Sequence, residues 1–361
     1  MKTVVTITGI RPDFIRMSHI FKKLDNDFNH VLVHTGQHYD KNLSSIFFEE
    51  LGIRQPDYIL NTGKESSNHF EQLSYLTTAI HKLFLENNIK PDLILFLGDS
   101  NSAGVAFPLK KEGYKIGHIE AGMRSYDKRM LEEINRTVCD HCSDILFVYH
   151  NDYKEQLAKE NITNNVFVVG NTIVEPLNYF KNIITNTPKR KDIILMDVHR
   201  PENFKYVERL RNIINFGNNC INKYNVPAKL LYFKRLKDAL DTHNIDLGKI
   251  EMIPLLPYKE YLETVYHSKF IISDSGTGQE EPALLNTPVI VPRNYTERQQ
   301  SYDNNCSICY KAENNNDEEV YSWLDDIETG RKYIDASWLG DGQTSSLVIK
   351  HLKDYFDMQN N

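Results

Sequence analysis

The chain has 361 residues and no apolar run approaching the roughly 18 that a membrane-spanning helix needs, so no membrane partner is expected. Positive charge is also short. Lys and Arg number 42 against 49 Asp and Glu, a formal net charge of −7. That balance leaves no general basic field for a nucleic acid, and an anionic ligand would need a local cluster of Arg and His. The opening segment, MKTVVTITGIRP, has too short an apolar stretch for a signal peptide. A cytoplasmic location and reduced thiols are therefore expected. Cysteine is scarce, at five residues. Cys139/Cys142 and Cys306/Cys309 make two C-x-x-C pairs, but far beyond the about 15–20-residue separation of a zinc module. The first pair also falls within a helical pattern, EEINRTVCDHCSDI, so no metal is expected.

What is present is ordinary globular composition, 40% hydrophobic and 25% charged. The length exceeds what one hydrophobic core usually supports, so two domains are expected. Short β-branched runs alternate with amphipathic stretches. TVVTIT (3–8), HVLVHT (30–35), LILFLGD (93–99), IGHIEA (116–121), ILFVY (145–149) and VFVVG (166–170) form a first series. DIILMDV (192–198), KLLYF (229–233), IEMIPL (250–255), FIISDS (270–275) and PVIVP (288–292) form a second. Continuous apolar runs separated by helices predict parallel strands buried on both faces. The polar stretch NYFKNIITNTPKRKD (178–192) reads as the linker. Residues 1–177 and 178–345 then make two doubly wound halves, followed by a last helix at 346–361. Ligand is expected in the crevice where the strand carboxyl ends meet.

Several motifs lie at those ends. In TGIRPDFIRM, Gly9 follows a strand and Pro12 opens a helix, a tight turn whose free N–H groups and Arg11 could hold an anion. A plain turn with a solvated arginine is the alternative. LGDSNS and HIEAGMRS put Asp99 and Glu120 just beyond apolar strands, and EEINR puts Glu132 and Arg136 on one helix face. Gathered carboxylates push one another's pKa values apart, which suits proton transfer at a weakly acidic C–H. DVHRPEN sets His199 and Arg200 after a strand, where an imidazole can donate to a phosphate oxygen. SDSGTGQEEPALL begins like a G-x-G-x-x-G fingerprint at Gly276 and Gly278, then puts Glu281 where the third glycine belongs. Ser275, Gly276 and Thr277 before a helix start make a diphosphate receptor, and Glu281 suits the vicinal hydroxyls of a ribose. Arg298, in NYTERQQ, follows the next strand. The set fits a sugar nucleotide better than a dinucleotide.

In register, the stretches TGIRPDFIRM, HTGQHYD, GDSNS, HIEAGMRS, EEINR, VGNTIVE, HRPEN, SDSGTGQEE, TER and GDGQTSS resemble the non-hydrolysing UDP-N-acetylglucosamine 2-epimerases over nearly the whole chain. The resemblance implies an α/β fold of two Rossmann-like domains in the GT-B arrangement, with the active site in the interdomain cleft and a C-terminal helix crossing back to the first domain. It implies a homodimer, a UDP-sugar substrate, and a reaction with no cofactor, in which UDP is eliminated to leave a 2-acetamidoglycal and then re-adds. By position, Asp99, Glu120 and Glu132 fall on the family's catalytic carboxylates. Arg11, Arg136 and His199 surround the diphosphate and reacting sugar. Ser275, Gly276 and Thr277 match the diphosphate loop, Glu281 the ribose contact and Arg298 the TER arginine. Departures exist. Arg16 stands where members acting on UDP-GlcNAc have Lys, Leu131 and Pro201 replace other residues of the pattern, and Phe233-Lys234-Arg235-Leu236 replaces H-P-R-T. QHYD (37–40) departs from members with an allosteric site, so allostery is not carried over. GQHYD, IRMS, LGDSNS and YDKR are closer to the branch acting on 6-deoxy-L sugars, with UDP-GlcNAc to UDP-ManNAc as the alternative substrate pair. The rival readings are a GT-B glycosyltransferase, a hydrolysing relative and a non-catalytic nucleotide-sugar binder.

Overall fold

Apolar β-branched runs become strands wherever both faces can be covered, and that rule builds two sheets. The computed structural model describes residues 1–36, 48–65, 68–128 and 130–359. The chain divides into one unit of Met1–Pro176 with Leu339–Asn361 and another of Leu177–Trp338. In the first, β1 (Thr3–Thr8), β2 (Asn29–His34), β3 (Tyr58–Ile59), β4 (Leu93–Leu97), β5 (Ile116–Ile119), β6 (Ile145–Val148) and β7 (Val166–Val168) form a seven-stranded sheet. Its order is β3-β2-β1-β4-β5-β6-β7, and every pairing is parallel. In the second, β8 (Ile193–Asp197), β9 (Ala228–Leu231), β10 (Glu251–Ile253), β11 (Ser268–Ser273), β12 (Val289–Val291) and β13 (Ser307–Cys309) pair in parallel in the order β10-β9-β8-β11-β12-β13.

The core of each unit is what its pattern requires. Val5, Ile7, Ile94 and Phe96 of the first sheet pack with Leu76, Ile80 and Phe84 from the helix His69–Glu86. Ile194, Met196, Leu230 and Ile272 of the second pack with Leu210, Ile213 and Phe216 from the helix Val207–Tyr224. The last helix, Thr344–Gln359, belongs to the first unit. Its Lys353 Nζ lies 2.6 Å from Asp27 Oδ1, its Ser346 Oγ accepts from Lys23 at 2.6 Å, and Phe356 packs on Phe28.

Three elements differ from the sequence expectation. The stretch read as a linker is helical in its first part, within Val174–Ile184, because Leu177, Phe180 and Ile184 recur on one buried face. The strands β3 and β13 lie at sheet edges and are two and three residues long, too short to show a period. Among the described residues, no helix is long and apolar enough to cross a membrane.

In each sheet the strand order reverses once, between β1 and β4 and between β8 and β11. An open parallel sheet parts its connections at such a point, and ligands collect beyond the strand carboxyl ends there. The candidate residues follow those strands: Gly9 after β1, Asp99 after β4, His199 after β8 and Ser275 after β11.

Candidate active site

In the first unit, β4 ends at Leu97 and turns through Gly98, at φ 65°, to present Asp99. β5 ends at Ile119, and Glu120 follows with φ 68°. A non-glycine residue in the left-handed region costs on the order of 1–3 kcal/mol and persists where its surroundings over-determine it. Here they do. The Glu120 carboxylate is buried, with Arg16 Nη1 against Oε2 and Arg136 Nη2 2.6 Å from Oε1. The same Arg136 nitrogen lies 2.5 Å from Asp99 Oδ2, and its Nε donates to the Glu120 carbonyl at 3.3 Å. Tyr149 Oη donates to Glu120 Oε2 at 3.3 Å and lies 2.6 Å from Thr172 Oγ1. Arg16, Asp99, Glu120 and Arg136 thus form one cluster drawn from four elements. Asp99 keeps 21% of its side chain exposed, whereas Glu120 keeps 4%. Among the described residues, Arg136 Nη1 and Ser100 Oγ are buried with no hydrogen-bond partner, so the cluster has unused polar capacity for a ligand. Glu132 opens the helix Leu131–Cys142 one turn before Arg136 and is half-buried.

The Gly9 turn differs from expectation. Its amides do not wait for an external anion, because Asp13 Oδ2 accepts from Gly9 N at 2.9 Å and Ile10 N at 3.2 Å. A carboxylate three residues inside a helix reaches its orphan donors more readily than any ligand does. Burial pushes Asp13 up to about 7, with the Asp99 charge adding to the rise, while the two amides and Arg16 oppose it. The Arg11 side chain and the residues Gln37–Asp40 lie outside the described ones.

In the second unit, His199 follows β8, with its Nδ1 2.9 Å from Asp197 Oδ1 and its ring against Phe233 at 4.9 Å. Burial disfavours the imidazolium, but Asp197 and Asp274 outweigh it, so the pKa of His199 is raised. Asp274, wholly buried, accepts from the amides of His199 and Arg200 at 3.0 Å and from Asn203 Nδ2 at 2.7 Å. It thereby holds the HRPEN turn in shape.

The glycine loop works by space rather than handedness. Gly276 has φ −63°, which any residue adopts. A Cβ there would sit 2.8 Å from Arg298 Nη1, and one on Gly278 would collide with Ser273 Oγ. Ser275 Oγ and Thr277 Oγ1 lie 3.0 Å apart on the half-buried face of the loop. The expected helix start is a single 3-10 turn, Thr277–Gln279, followed by the short helix Glu281–Leu284. The macrodipole is correspondingly small, and local amides and side chains carry the polarity. The two carboxylates that end the motif are both buried. Glu280 takes Arg298 Nε at 2.6 Å, and Glu297 takes Arg298 Nη1. Glu281 accepts from Tyr258 Oη at 2.8 Å. Glu280 is thus an ion partner that fixes Arg298 over the loop.

The model of the family described as UDP-N-acetylglucosamine 2-epimerase matches residues 22–353. The chain belongs to that family. This epimerase, an isomerase by class, is 33% identical to the UDP-N-acetylglucosamine 2-epimerase of Methanococcus maripaludis, over 97% of this chain and 98% of the relative. It is also 33% identical to the UDP-2,3-diacetamido-2,3-dideoxy-D-glucuronate 2-epimerase of Pseudomonas aeruginosa, over 81% of this chain and 84% of the relative. Among solved structures, the Methanocaldococcus jannaschii UDP-GlcNAc 2-epimerase in complex with UDP-GlcNAc and UDP superposes with a TM-score of 0.87, at 31% identity, over 98% of this chain and 99% of that one.

Sequence reading of this epimerase missed its supporting groups: Asp13, His118, Asp140, Tyr149, Asp197 and Asp274. His118 and Asp197 offered a signal, since a polar side chain inside an otherwise apolar strand needs a buried partner.

Proposed function

We propose that this chain inverts C2 of a UDP-2-acetamido sugar by elimination and re-addition of UDP. The observation that carries the reading is the buried Glu120, held in left-handed backbone by Arg16 and Arg136 while Asp99 shares Arg136. A base takes the C2 proton, and the C2–H pair becomes the C1=C2 bond. The C1–O bond breaks, and its pair leaves on the β-phosphate oxygen of UDP. Return of UDP with a proton delivered to the other face of C2 completes the inversion. Asp99, Glu120 and Glu132 supply the acid and base groups. Ser275, Gly276 and Thr277, with Arg298 and a cationic His199, stabilise the departing diphosphate, and electrostatic stabilisation of this kind is often the largest catalytic term. Glu281 takes the ribose hydroxyls. Proton transfer requires no redox group or metal.

A panel of UDP-GlcNAc and its 6-deoxy-L counterparts, incubated in D2O and followed by NMR, tests the reading. The expected product is the C2 epimer carrying deuterium at C2. Free sugar plus UDP, or an epimer that keeps its protium, would sink it. Arg16 in IRMS, with LGDSNS and YDKR, favours the 6-deoxy-L members of the panel as the second reading, and UDP-GlcNAc is the substrate named for the two methanogen relatives above.

A homodimer is part of the same proposal. Phe70, Leu73, Phe107, Leu131, Ile134 and Val138 are exposed apolar side chains on helices that flank Gly104, and such a patch calls for a cover. Light scattering should give twice the 42.0 kDa chain mass; a monomer would remove this part.

A further inference from the structure

Behind Asp99 and Glu120 lies a second ionic group that the mechanism above does not use. His118, inside β5, is wholly buried. Its Nε2 meets the Gly98 carbonyl at 2.7 Å, and its Nδ1 meets Asp140 Oδ1 at 2.7 Å. A carbonyl oxygen can only accept, and so can a carboxylate. Both ring nitrogens must therefore donate, which makes the ring an imidazolium. The neighbours agree. Burial opposes the charge, but the Cys139 sulfur and the Asp140 carboxylate outweigh it and raise His118 to about 10. Asp140 Oδ2 in turn accepts from Gly122 N at 3.1 Å and lies 2.7 Å from Arg124 Nη1. Arg124 closes the group on Glu160 through two bonds of 2.9 and 2.8 Å.

The contacts of this group fall on two turns. The Gly98 carbonyl belongs to the peptide that leads into Asp99. The Gly122 amide lies two residues beyond Glu120. Gly98, Glu120 and Gly122 all have left-handed φ, at 65°, 68° and 80°. Each of these turns would relax if left untethered, and Glu120 would do so most readily, since only a glycine adopts that region without cost.

We propose that His118 is a positioning residue for the epimerisation, one whose two ring N–H bonds, through Gly98 and through Asp140 to Gly122, lock together the turns that carry Asp99 and Glu120. The inference rests on the carboxylate reading above and adds to it a dependence on a side chain that touches no substrate. A misplacement of about 1 Å at a reacting group can cost on the order of a hundredfold in rate.

The test uses the full chain with whichever UDP-sugar the panel selects. Asp140→Asn is isosteric and removes the negative charge facing His118, and His118→Asn removes the ring. Both should lower kcat roughly 10- to 100-fold, with KM within about threefold of wild type and the thermal transition still cooperative. The pH profile gives a readout that mere loss of packing would not move. In wild type, kcat should fall as the pH approaches about 10 and His118 loses its proton. Without the Asp140 charge the imidazolium is less favoured, so in Asp140→Asn that alkaline limb should move to lower pH. Cys139, Arg124 and Glu160 remain in place as the other ionisable groups around it. A folded Asp140→Asn with unchanged kcat and an unmoved limb overturns the proposal, as does a rise in KM at constant kcat. Should His118→Asn fail to fold, Asp140→Asn decides alone. Wild type that epimerises no UDP-sugar sinks the underlying reading instead, so the two failures are distinguishable.

Discussion

Apart from the extra edge strand β7, the two sheets share one strand order, yet their switch points are furnished in opposite ways. Beyond β1 and β4, the first unit gathers carboxylates and arginines whose charges are almost wholly neutralised by one another. Beyond β8 and β11, the second unit offers a half-buried loop of small hydroxyl residues, two glycines that cannot accept a Cβ, and a histidine biased toward its cationic form. On the proposed reading, the same backbone topology holds a proton-handling cluster in one place and an anion-accepting loop in the other. The topology supplies a location, and the side chains on four or five loops decide what happens there.

That division of labour is open to direct attack, and the largest expected effect is on the acids. Glu120→Gln and Asp99→Asn should each lower turnover by on the order of a hundredfold or more, the range for general acid–base groups, while UDP still binds in calorimetry within a few fold. If neither variant loses turnover, the first unit is not where the proton moves.

The glycine loop should respond in UDP binding, which the acid variants leave nearly intact. Gly278→Ala forces a methyl against Ser273 Oγ and within 3.1 Å of Ser275 Cβ. Overpacking of about 1–3 kcal/mol should weaken UDP binding and raise KM for the UDP-sugar roughly tenfold, with kcat falling as well because the loop also holds the departing diphosphate. Calorimetry in which Gly278→Ala bound UDP as tightly as wild type would erase the contrast between the units.

The remaining effect is on stability rather than on turnover. Asp13 is held at about 7 in the fold, above its ordinary 3.8, so the folded chain binds the extra proton between those values. Stability from this group is full below about pH 4, declines as the pH rises, and levels off above about 7, at no more than about 1.4 kcal/mol per pH unit. Asp13→Asn keeps an oxygen for Gly9 and Ile10 and has no proton to lose. Urea unfolding of that variant should show the slope between pH 4 and 7 flattened relative to wild type. An unaltered slope would mean that Asp13 titrates normally.

The large features of the fold were open to reading because they depend on composition along the chain. Eleven apolar runs became strands, and their separation by amphipathic stretches predicted the parallel pairing that the sheets show. The edge strands escaped because two or three residues carry no period. The helix in the first part of the linker stretch went unread because its buried face, Leu177, Phe180 and Ile184, is interrupted by polar residues. The site was legible in part. Asp99, Glu120 and Arg136 sit together, whereas the amides of the Gly9 turn are taken by Asp13, a residue whose reach along its own helix the motif did not betray.

From the order of its residues alone this protein was committed to strands of a given length, to two units with parallel sheets, and to placing acids after β4 and β5 and glycines after β11. Those outcomes rest on local steric and solvation preferences, which act between near neighbours. Which carboxylate shares which guanidinium, that Glu280 serves Arg298 rather than a ligand, and that His118 must carry a charge were decided only in three dimensions. Those partners are at least 16 residues apart in sequence, and Arg16 and Glu120 are 104 apart, and ion pairing in a buried medium depends on distance and desolvation, which no stretch of chain contains by itself.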